Sequence, residues 1–321
     1  MPLLPPSYRA PAGFGNGHVQ SIYPALFRKV GKLTQRRERI DTPDGDFLDL
    51  DWGPAQGERL AIISHGLEGD SSQAYIQGMA QALHRRGWEI LAWNFRGCSG
   101  EPNRHAHSYH SGATGDMQVL LDHVFGLGKF REIVLVGFSL GGNITLKYLG
   151  DCGSSLDSRI RSAVAFSVPC DLAASARKMA GRAQRIYMKR FLKCLRAKIR
   201  EKIDSHPDKV RDEGLDSMRT FQEFDGCYTA PMNGFADAED YWARSSSKPV
   251  LCKIQAPTLL VNAMDDPFLP SECHPAEEAE SSDHFYFENP SHGGHVGFIQ
   301  RGAAGEYWSE TRAAAFLEEH R

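Results

Sequence analysis

The sequence predicts an α/β fold: a mostly parallel central sheet with helices on both faces and an inserted helical cap. Strand-like apolar runs alternate with helical patterns through the first half of the 321-residue chain, which is typical of βαβ units. One of these strands ends in a glycine-flanked serine. Between about Cys170 and Pro249 helical patterns replace strand patterns, and two further strand patterns follow. An insertion between strands of one sheet explains this order.

Composition excludes several classes of protein. A hydrophobic content of 41% is sufficient for a sizeable core, so we expect one large domain with an insertion. The net charge of −3 argues against nucleic acid as a partner. The seven cysteines contain no C-x-x-C pair, and the sequence has no pattern of a signal peptide or a membrane span. These features predict reduced thiols and a cytoplasmic location.

The elements before the serine are predicted from local patterns. Residues 1–35, which are rich in Pro and Gly, predict an irregular arm with a packing role. The Asp44-Gly45 pair between two short runs predicts a hairpin over residues 37–52. Strands are then expected at residues 60–64 and 88–93, and helices at residues 72–86 and 113–125.

After the serine, the patterns predict the rest of the sheet around the insertion. Strands are expected at residues 161–167, 258–261 and 285–287, and a closing helix at residues 306–320. We therefore expect three parts: residues 1–169 form the arm and the first part of the core, residues 170–249 form a helical cap, and residues 250–321 complete the core.

The glycine-flanked serine is the centre of the functional prediction. A strand at residues 133–136 leads into Gly137-Phe138-Ser139-Leu140-Gly141, and helical spacing resumes directly afterwards. A serine lifted out of a strand on a strained turn needs neighbours almost without side chains, which Gly137 and Gly141 provide. The alternative is an ordinary turn that ends a buried strand. The flanking strand and helix favour the nucleophile elbow, with Ser139 as nucleophile.

A nucleophilic serine needs a histidine to accept its proton and a carboxylate to orient that histidine. In sheets of this kind the chain order is Ser, then Asp or Glu, then His. Asp265 and Asp266 directly follow a predicted strand. We favour Asp266 because Pro267 rigidifies the loop after it, and Asp265 becomes the supporting candidate. Alone, this loop would also suit a helix N-cap or a turn.

Two histidines compete for the role of base. His292 and His295 both follow the last predicted strand. We favour His295, because Gly293 and Gly294 let a tight loop approach the serine. His292 becomes the supporting candidate.

An oxyanion formed by attack of Ser139 needs backbone N–H donors on a preorganised turn. Leu140, directly after the nucleophile, offers one, and Leu67, in the turn after an early strand, offers the second. His65 in the same turn is expected to shape it.

Several longer motifs, spread over nearly the whole chain, resemble those of one known family. They are GNGHVQSIYP, SHGLEGDSS, NFRGCSGEPNR, YHSGATGD, GFSLGGN, FQEFDGCYTAPMNGFADAEDYW, NAMDDPFLP and GGHVGF. With them the sequence resembles the α/β-hydrolase superfamily, specifically its YheT-like branch of bacterial and eukaryotic esterases. The resemblance implies Ser139 as nucleophile, Asp266 as acid and His295 as base.

The resemblance also implies an activity. Known members cleave or form carboxylic esters, often of medium-chain acyl groups or acylglycerols, and some relatives act on phospholipids. The expected reaction is ester hydrolysis through an acyl-enzyme on Ser139, without cofactor or metal, on a small-molecule ester with an apolar acyl chain. Acyl transfer to an alcohol would use the same acyl-enzyme. A non-catalytic binding protein of the same fold is a third alternative, which the complete set of candidate residues disfavours.

Two further patterns have competing interpretations. His105, His107 and His110 have spacing that would suit zinc, but solvated loop histidines explain the pattern better because no nearby carboxylate or cysteine completes the set. The basic stretch at residues 177–202 would suit peripheral membrane contact through the cap helix. A solvated helix face is favoured there, because the Lys and Arg positions lie opposite an apolar stripe.

The insertion predicts how the substrate is selected. Its position, after the strand that follows the elbow, places it over the carboxyl ends of the strands. Its many apolar residues would line an acyl pocket or attach the cap to the core. The candidates are Phe221, Phe224, Tyr228, Met232, Phe235, Tyr241 and Trp242.

Overall fold

A computed structural model describes residues 3–33, 36–300 and 305–320. In these residues the strands form one nine-stranded sheet. The strands are β1 (Leu3–Leu4), β2 (Arg36–Asp41), β3 (Phe47–Trp52), β4 (Arg59–Ser64), β5 (Glu89–Asn94), β6 (Glu132–Phe138), β7 (Ile160–Phe166), β8 (Thr258–Val261) and β9 (Phe285–Glu288).

The strand order across the sheet is β1-β9-β8-β7-β6-β4-β5-β3-β2. The first seven strands in this order, from β1 at the edge to β5, pair with their neighbours in parallel. Strand β3 pairs antiparallel with both β5 and β2. The carboxyl ends of the central strands are in register, with Ser64 opposite Gly137 and Phe138 opposite Phe166. One edge of the sheet therefore collects the loops that follow β4, β6, β7 and β8, which is where ligands bind in open α/β sheets.

Helices cover both faces of the sheet, and successive side chains along a strand point into the two cores in turn. Leu60 and Ile62 of β4 pack with the apolar residues of α3 and α4, whereas Ala61 and Ile63 pack with those of α2 and α11. The helices are α1 (Gly17–Phe27), α2 (Ala74–His84), α3 (Thr114–Gly126), α4 (Leu140–Cys152), α5 (Leu172–Met179), α6 (Arg185–Ser205), α7 (Phe221–Phe224), α8 (Ala230–Met232), α9 (Ala238–Ser245), α10 (Ala276–Glu280) and α11 (Trp308–Glu319).

The segment between β7 and β8 is helical, as predicted. It contains α5 to α9, with a π-helical turn at Asp225–Thr229. The predicted fold class is confirmed, including the insertion between strands of the sheet. The exact limits of the three parts, 1–169, 170–249 and 250–321, stay a prediction, and residues 1 and 321 lie outside the described residues.

The prediction of an irregular arm is wrong. Strand β1 pairs with β9, and Gly17–Phe27 is a helix although it begins with Gly and contains Pro24. The Asn16 side chain accepts hydrogen bonds from the N–H groups of His18 and Val19 and caps the helix. Gln20, which is fully buried, donates to Tyr8 Oη over 2.8 Å. These contacts outweigh the poor helix propensity of the segment.

Among the residues described, no helix combines the length and the apolar character that a membrane span requires.

Candidate active site

Ser139 occupies a sharp turn between β6 and α4. Its φ of 51° and ψ of −120° lie outside the regions that residues with a Cβ favour. The Ser139 N–H donates to the carbonyl of Phe166 on β7 over 2.9 Å, which fixes the turn to the sheet. A strained backbone held by neighbouring structure is typical of functional sites.

Two glycines make this turn possible. A Cβ on Gly137 would lie 2.5 Å from the Cα of Gly142, and one on Gly141 would lie 2.3 Å from the carbonyl oxygen of His65. Both positions therefore exclude a side chain, as the elbow motif predicts.

The structure brings Ser139, His295 and Asp266 together in one hydrogen-bonded chain. Ser139 Oγ lies 2.9 Å from His295 Nε2, and His295 Nδ1 lies 2.9 Å from Asp266 Oδ2. The Asp266 side chain is fully buried, and its Oδ1 accepts from the N–H of Phe268 over 2.8 Å. The Phe268 ring also lies against the imidazole, with ring centroids 4.0 Å apart. Both the carboxylate and the imidazole are thus held in one orientation.

The other aspartate and histidine form a separate pair. His292 Nδ1 lies 3.2 Å from Asp265 Oδ2, and the His292 side chain is 45% exposed. Asp265 Oδ1 accepts from the N–H of Gly294 over 2.8 Å. Asp265 therefore supports the loop that carries His295.

Helix α1 completes the support of this loop. The N–H of His295 donates to Ser21 Oγ over 2.8 Å, and Ser21 Oγ donates to the carbonyl of Gly17 over 2.6 Å. Gly17 packs so tightly that a Cβ there would overlap the carbonyl oxygen of Asp265. The sequence patterns do not predict these supporting roles for Gly17 and Ser21. The cap at Asn16 was the one local signal of a helix in the arm.

The two residues predicted to bind an oxyanion flank the nucleophile. Leu140 is the first residue of α4, and Leu67 lies in the turn after β4. A Cβ on Gly66 would lie 3.2 Å from the Cβ of Ser139, so this turn lies directly beside the nucleophile.

Side chains from three helices or loops anchor the turn after β4. The N–H groups of Gly66 and Glu68 donate to the hydroxyls of Tyr75 and Tyr109, each over 2.9 Å. The Glu68 carboxylate also pairs with Lys198 of α6 at 3.0 Å. The turn is therefore held from both sides of Leu67.

His65 shapes the same turn. It is fully buried, its Nδ1 lies 2.8 Å from the carbonyl of Gly66, and its Nε2 accepts from the N–H of Phe95 over 3.2 Å. Burial lowers the pKa of His65 to about 4, so the ring is neutral and donates through Nδ1–H. Both nitrogens bond to backbone, as expected of a residue that shapes the turn.

Two cavities meet at Ser139. The first, of about 140 Å³, extends between the sheet and the helices that follow β7. The second, of about 530 Å³, extends between α1, the start of α6 and the turn after β4. Both cavities are lined by Leu67, Glu68, Ser139, Phe191, Phe268 and His295.

Six of the seven predicted pocket residues line the first cavity, and the seventh does not. The six are Phe221, Phe224, Tyr228, Met232, Tyr241 and Trp242. Phe235 instead packs against the rings of His110 and Tyr241, with centroids 5.3 Å away in each case. The neighbouring segments add Leu172, Met179 and Leu195, so most of the lining is apolar.

The carboxyl group of Asp225 also lines the first cavity. Asp225 accepts from Thr229 Oγ1 over 2.6 Å and from Trp242 Nε1 over 2.9 Å. Burial raises its pKa to about 6.

The histidines considered as metal ligands have other partners. His105 Nε2 lies 2.6 Å from the carbonyl of Asp44, and His107 Nε2 lies 3.1 Å from Arg96 Nη1. His110 Nδ1 accepts from the N–H of Gly112 over 3.1 Å. In the described part of the chain, no three His, Cys, Asp or Glu side chains are arranged to hold a metal ion.

Comparison with known proteins agrees with this fold. A family model described as "alpha/beta hydrolase fold" matches residues 62–302. The chain therefore belongs to the α/β hydrolase family. It is 38% identical over 293 residues to the "Putative esterase YheT" of Escherichia coli (strain K12), covering 89% of this chain and 85% of that protein. The resemblance to the YheT-like branch is thus confirmed.

Two other similarities extend this result. The chain is 26% identical over 309 residues to "Phospholipase ABHD3" of Homo sapiens, covering 93% of this chain and 75% of that protein. A solved structure of the Pyrococcus furiosus esterase Pf2001 superposes with a TM-score of 0.62 at 15% identity, covering 97% of this chain and 99% of that one. The structural similarity concerns the fold, and the sequence relatives support a hydrolase of the esterase and lipase type.

Proposed function

We propose that this protein hydrolyses carboxylic esters of apolar acyl groups, with Ser139 as nucleophile, His295 as base and Asp266 as acid. The observation that carries the proposal is the continuous chain of contacts from Ser139 Oγ through His295 to Asp266, with 2.9 Å at each step. A nucleophile and its base must lie within hydrogen-bond reach, and a third group must orient the base. The two contacts meet both conditions.

The first half-reaction follows from these contacts. Ser139 Oγ attacks the ester carbonyl carbon while His295 Nε2 takes the hydroxyl proton. Asp266 accepts from Nδ1–H, which keeps Nε2 free as the acceptor and stabilises the imidazolium that forms. The bond between the former carbonyl carbon and the alkoxy oxygen then breaks, and His295 gives the proton to that oxygen. The alcohol departs, and the acyl group stays bound to Ser139.

The second half-reaction uses the same residues. His295 removes a proton from water as the water oxygen attacks the acyl carbonyl. Collapse of the second tetrahedral intermediate breaks the bond to Ser139 Oγ, which takes the proton back, and the carboxylic acid is released. Water must reach His295 for this step, and the His295 side chain is 11% exposed.

We further propose that the backbone N–H groups of Leu67 and Leu140 bind the oxyanion of both intermediates. The anchored turn after β4 supports this role, because preorganised donors need not reorient as charge develops. Leu140 is also at the start of α4, where the helix dipole favours negative charge.

The first cavity is proposed to hold the acyl chain, with the helices of residues 170–249 acting as a cap. Its lining is mainly apolar and it opens at Ser139. A mostly apolar pocket favours an aliphatic acyl group over a charged one.

A serine-directed fluorophosphonate probe and a series of p-nitrophenyl esters test the proposal. Wild-type protein is expected to be labelled on Ser139 and to hydrolyse esters, and Ser139→Ala is expected to lose labelling and about 10⁴-fold or more in kcat. An exposed residue outside the site, Ser154→Ala, is the matched control and should behave as wild type. Undiminished hydrolysis by Ser139→Ala would refute the nucleophile assignment.

A further inference from the structure

Helix α1 exposes an apolar face instead of burying it. A surface helix normally turns its apolar side to the core, but here the buried side carries Gly17 and the polar Gln20. The exposed apolar residues are spaced by three and four positions and have exposed fractions between 37% and 68%. They are Val19, Ile22, Tyr23, Leu26 and Phe27.

The start of α6 continues this face. Ile186 is 74% exposed, and the next residue, Tyr187, contacts α1 through a 3.0 Å hydrogen bond between its hydroxyl and His18 Nδ1. Six apolar residues therefore form one exposed patch, which we call the docking face. They are Val19, Ile22, Tyr23, Leu26 and Phe27 of α1 and Ile186 of α6. Such a patch on a protein surface marks an interaction site.

Positive charge lies beside the docking face on α6. Lys189 and Lys193 lie three and seven positions after Ile186 on α6, are exposed, and form no ion pair with any residue that the structure describes. Residues 3–33 contain four Lys or Arg and no Asp or Glu. Residues 172–200 contain ten Lys or Arg and likewise no Asp or Glu. Because the whole chain carries a net charge of −3, this concentration of cations in two adjoining segments favours an anionic partner.

The docking face lies at the opening of the second cavity. Ile22, Leu26 and Ile186 line that cavity together with Ser139 and His295. The first three are exposed, whereas the His295 side chain is largely buried. A molecule that enters from the docking face therefore has a direct route to the nucleophile.

We propose that the docking face binds the surface of an anionic lipid bilayer, and that the ester substrate enters the second cavity from that bilayer. Apolar side chains that insert among lipids, flanked by Lys and Arg that pair with anionic head groups, are the two features that interfacial binding requires. A second copy of the chain is disfavoured as the occupant, because two such cationic faces repel each other. The statement about substrate entry rests on the proposed ester hydrolysis, but the statement about lipid binding does not.

Vesicle flotation with the Ser139→Ala protein tests the binding. The probes are vesicles of phosphatidylcholine alone and of phosphatidylcholine with about 30% phosphatidylglycerol, where each basic residue near the surface strengthens binding several-fold. We expect binding to the anionic vesicles, weakened by salt. Val19→Glu with Phe27→Glu, and separately Lys189→Glu with Lys193→Glu, should each lower the partition coefficient about tenfold or more.

Matched controls lie at the opposite edge of the sheet. Leu127 is 46% exposed and directly follows α3, before β6, and Lys253 is exposed and precedes β8. Leu127→Glu and Lys253→Glu remove the same kinds of group and should bind vesicles as the parent protein does. An equal loss in these controls would overturn the proposal, as would unchanged binding in both double variants or a failure of the parent protein to bind anionic vesicles.

Activity measurements on protein with Ser139 intact separate this proposal from the proposed function. The Val19→Glu/Phe27→Glu variant should hydrolyse water-soluble p-nitrophenyl butyrate as wild type does, but should lose about tenfold on an ester carried in anionic vesicles. Equal activity of variant and wild type on the vesicle ester would overturn entry from the bilayer. Vesicle binding without any hydrolysis of the soluble ester would instead refute the esterase and leave lipid binding intact.

Discussion

His292 and His295 are three residues apart on one loop, but their surroundings differ. His295 lies between Ser139 and a fully buried carboxylate, whereas His292 is 45% exposed and pairs with Asp265. A base must reach both the nucleophile and an orienting group, and only His295 does so among these two. Sequence spacing favoured His295 through its preceding glycines, and the contacts give the physical reason.

The two histidines therefore make a matched pair of variants. His295→Ala should lower kcat for p-nitrophenyl esters about 10⁴-fold or more, because Ser139 loses its proton acceptor. His292→Ala should keep kcat within about tenfold, because Asp265 retains its bond to Gly294. Steady-state kinetics on both purified variants is the measurement. The reverse order of effects would exchange the roles of the two residues.

Asp225 gives a prediction about stability. Burial raises its pKa to about 6 in the folded protein, from an ordinary value of 3.8. The folded state therefore binds the Asp225 proton more tightly than the unfolded state, and this stabilising contribution is present below about pH 4 and lost as the pH rises through about 6.

Asp225→Asn removes that loss. Between pH 4 and pH 8, the free energy of unfolding of wild type should fall by about 2 to 3 kcal/mol relative to that of the variant. Urea unfolding at both pH values measures it. Asp283→Asn, at an exposed position, provides the baseline for replacing an aspartate. A difference that stays constant with pH would contradict the prediction.

At the scale of elements, α1 does more than pack. Gly17 contacts the loop that carries Asp266, and Ser21 contacts the loop that carries His295. Displacement of the helix should therefore disturb both loops. Gly17→Ala would force its Cβ onto the carbonyl of Asp265, whereas a Cβ on Gly15 meets no atom within 4 Å.

These two glycines form the next matched pair. Gly17→Ala should lower kcat about tenfold or more, because small displacements of catalytic groups have large effects on rate. Gly15→Ala should change neither kcat nor the melting temperature appreciably. Kinetics with p-nitrophenyl butyrate and thermal unfolding measure both. Wild-type kcat in a folded Gly17→Ala protein would show that α1 does not position the loops.

The elements also show what the sequence could and could not predict. The strands and helices of the core were predicted within a few residues, because their apolar periodicity is local. The elbow was predictable because Gly137 and Gly141 are sequence neighbours of Ser139. Helix α1 was missed because its stability depends on distant contacts, such as that of Ser21 with His295, 274 positions away. No local pattern encodes such a pair.

At the scale of the whole molecule, the two cavities are bounded by different elements and share the residues around Ser139. The first lies under the helices that follow β7, and the second opens beside α1. Because both meet at Ser139, an ester bound across the nucleophile would place its acyl and alcohol portions in different environments. The smaller first cavity, which is mostly apolar, suits the acyl chain, and the larger second cavity suits the leaving alcohol.

This division predicts how the acyl chain length affects turnover. Each methylene buried in an apolar pocket contributes about 0.8 kcal/mol, so kcat/KM should rise about fourfold per methylene until the first cavity is full. The measurement is kcat/KM for p-nitrophenyl acetate, butyrate, hexanoate and octanoate. Equal values for all four esters would remove the acyl-binding role from the first cavity.

Phe224 and Phe235 locate the chain within that series. Both are phenylalanines of the same segment, but Phe224 lines the first cavity and Phe235 packs against His110 and Tyr241 outside its lining. Phe224→Ala should lower the octanoate-to-acetate ratio of kcat/KM about tenfold, because the far end of a long chain loses its contacts while acetate never reaches them. Phe235→Ala loses the same side chain and should leave the ratio unchanged. If both variants lowered the ratio equally, the preference would come from the general stability of the helices after β7, and no acyl chain would lie against Phe224.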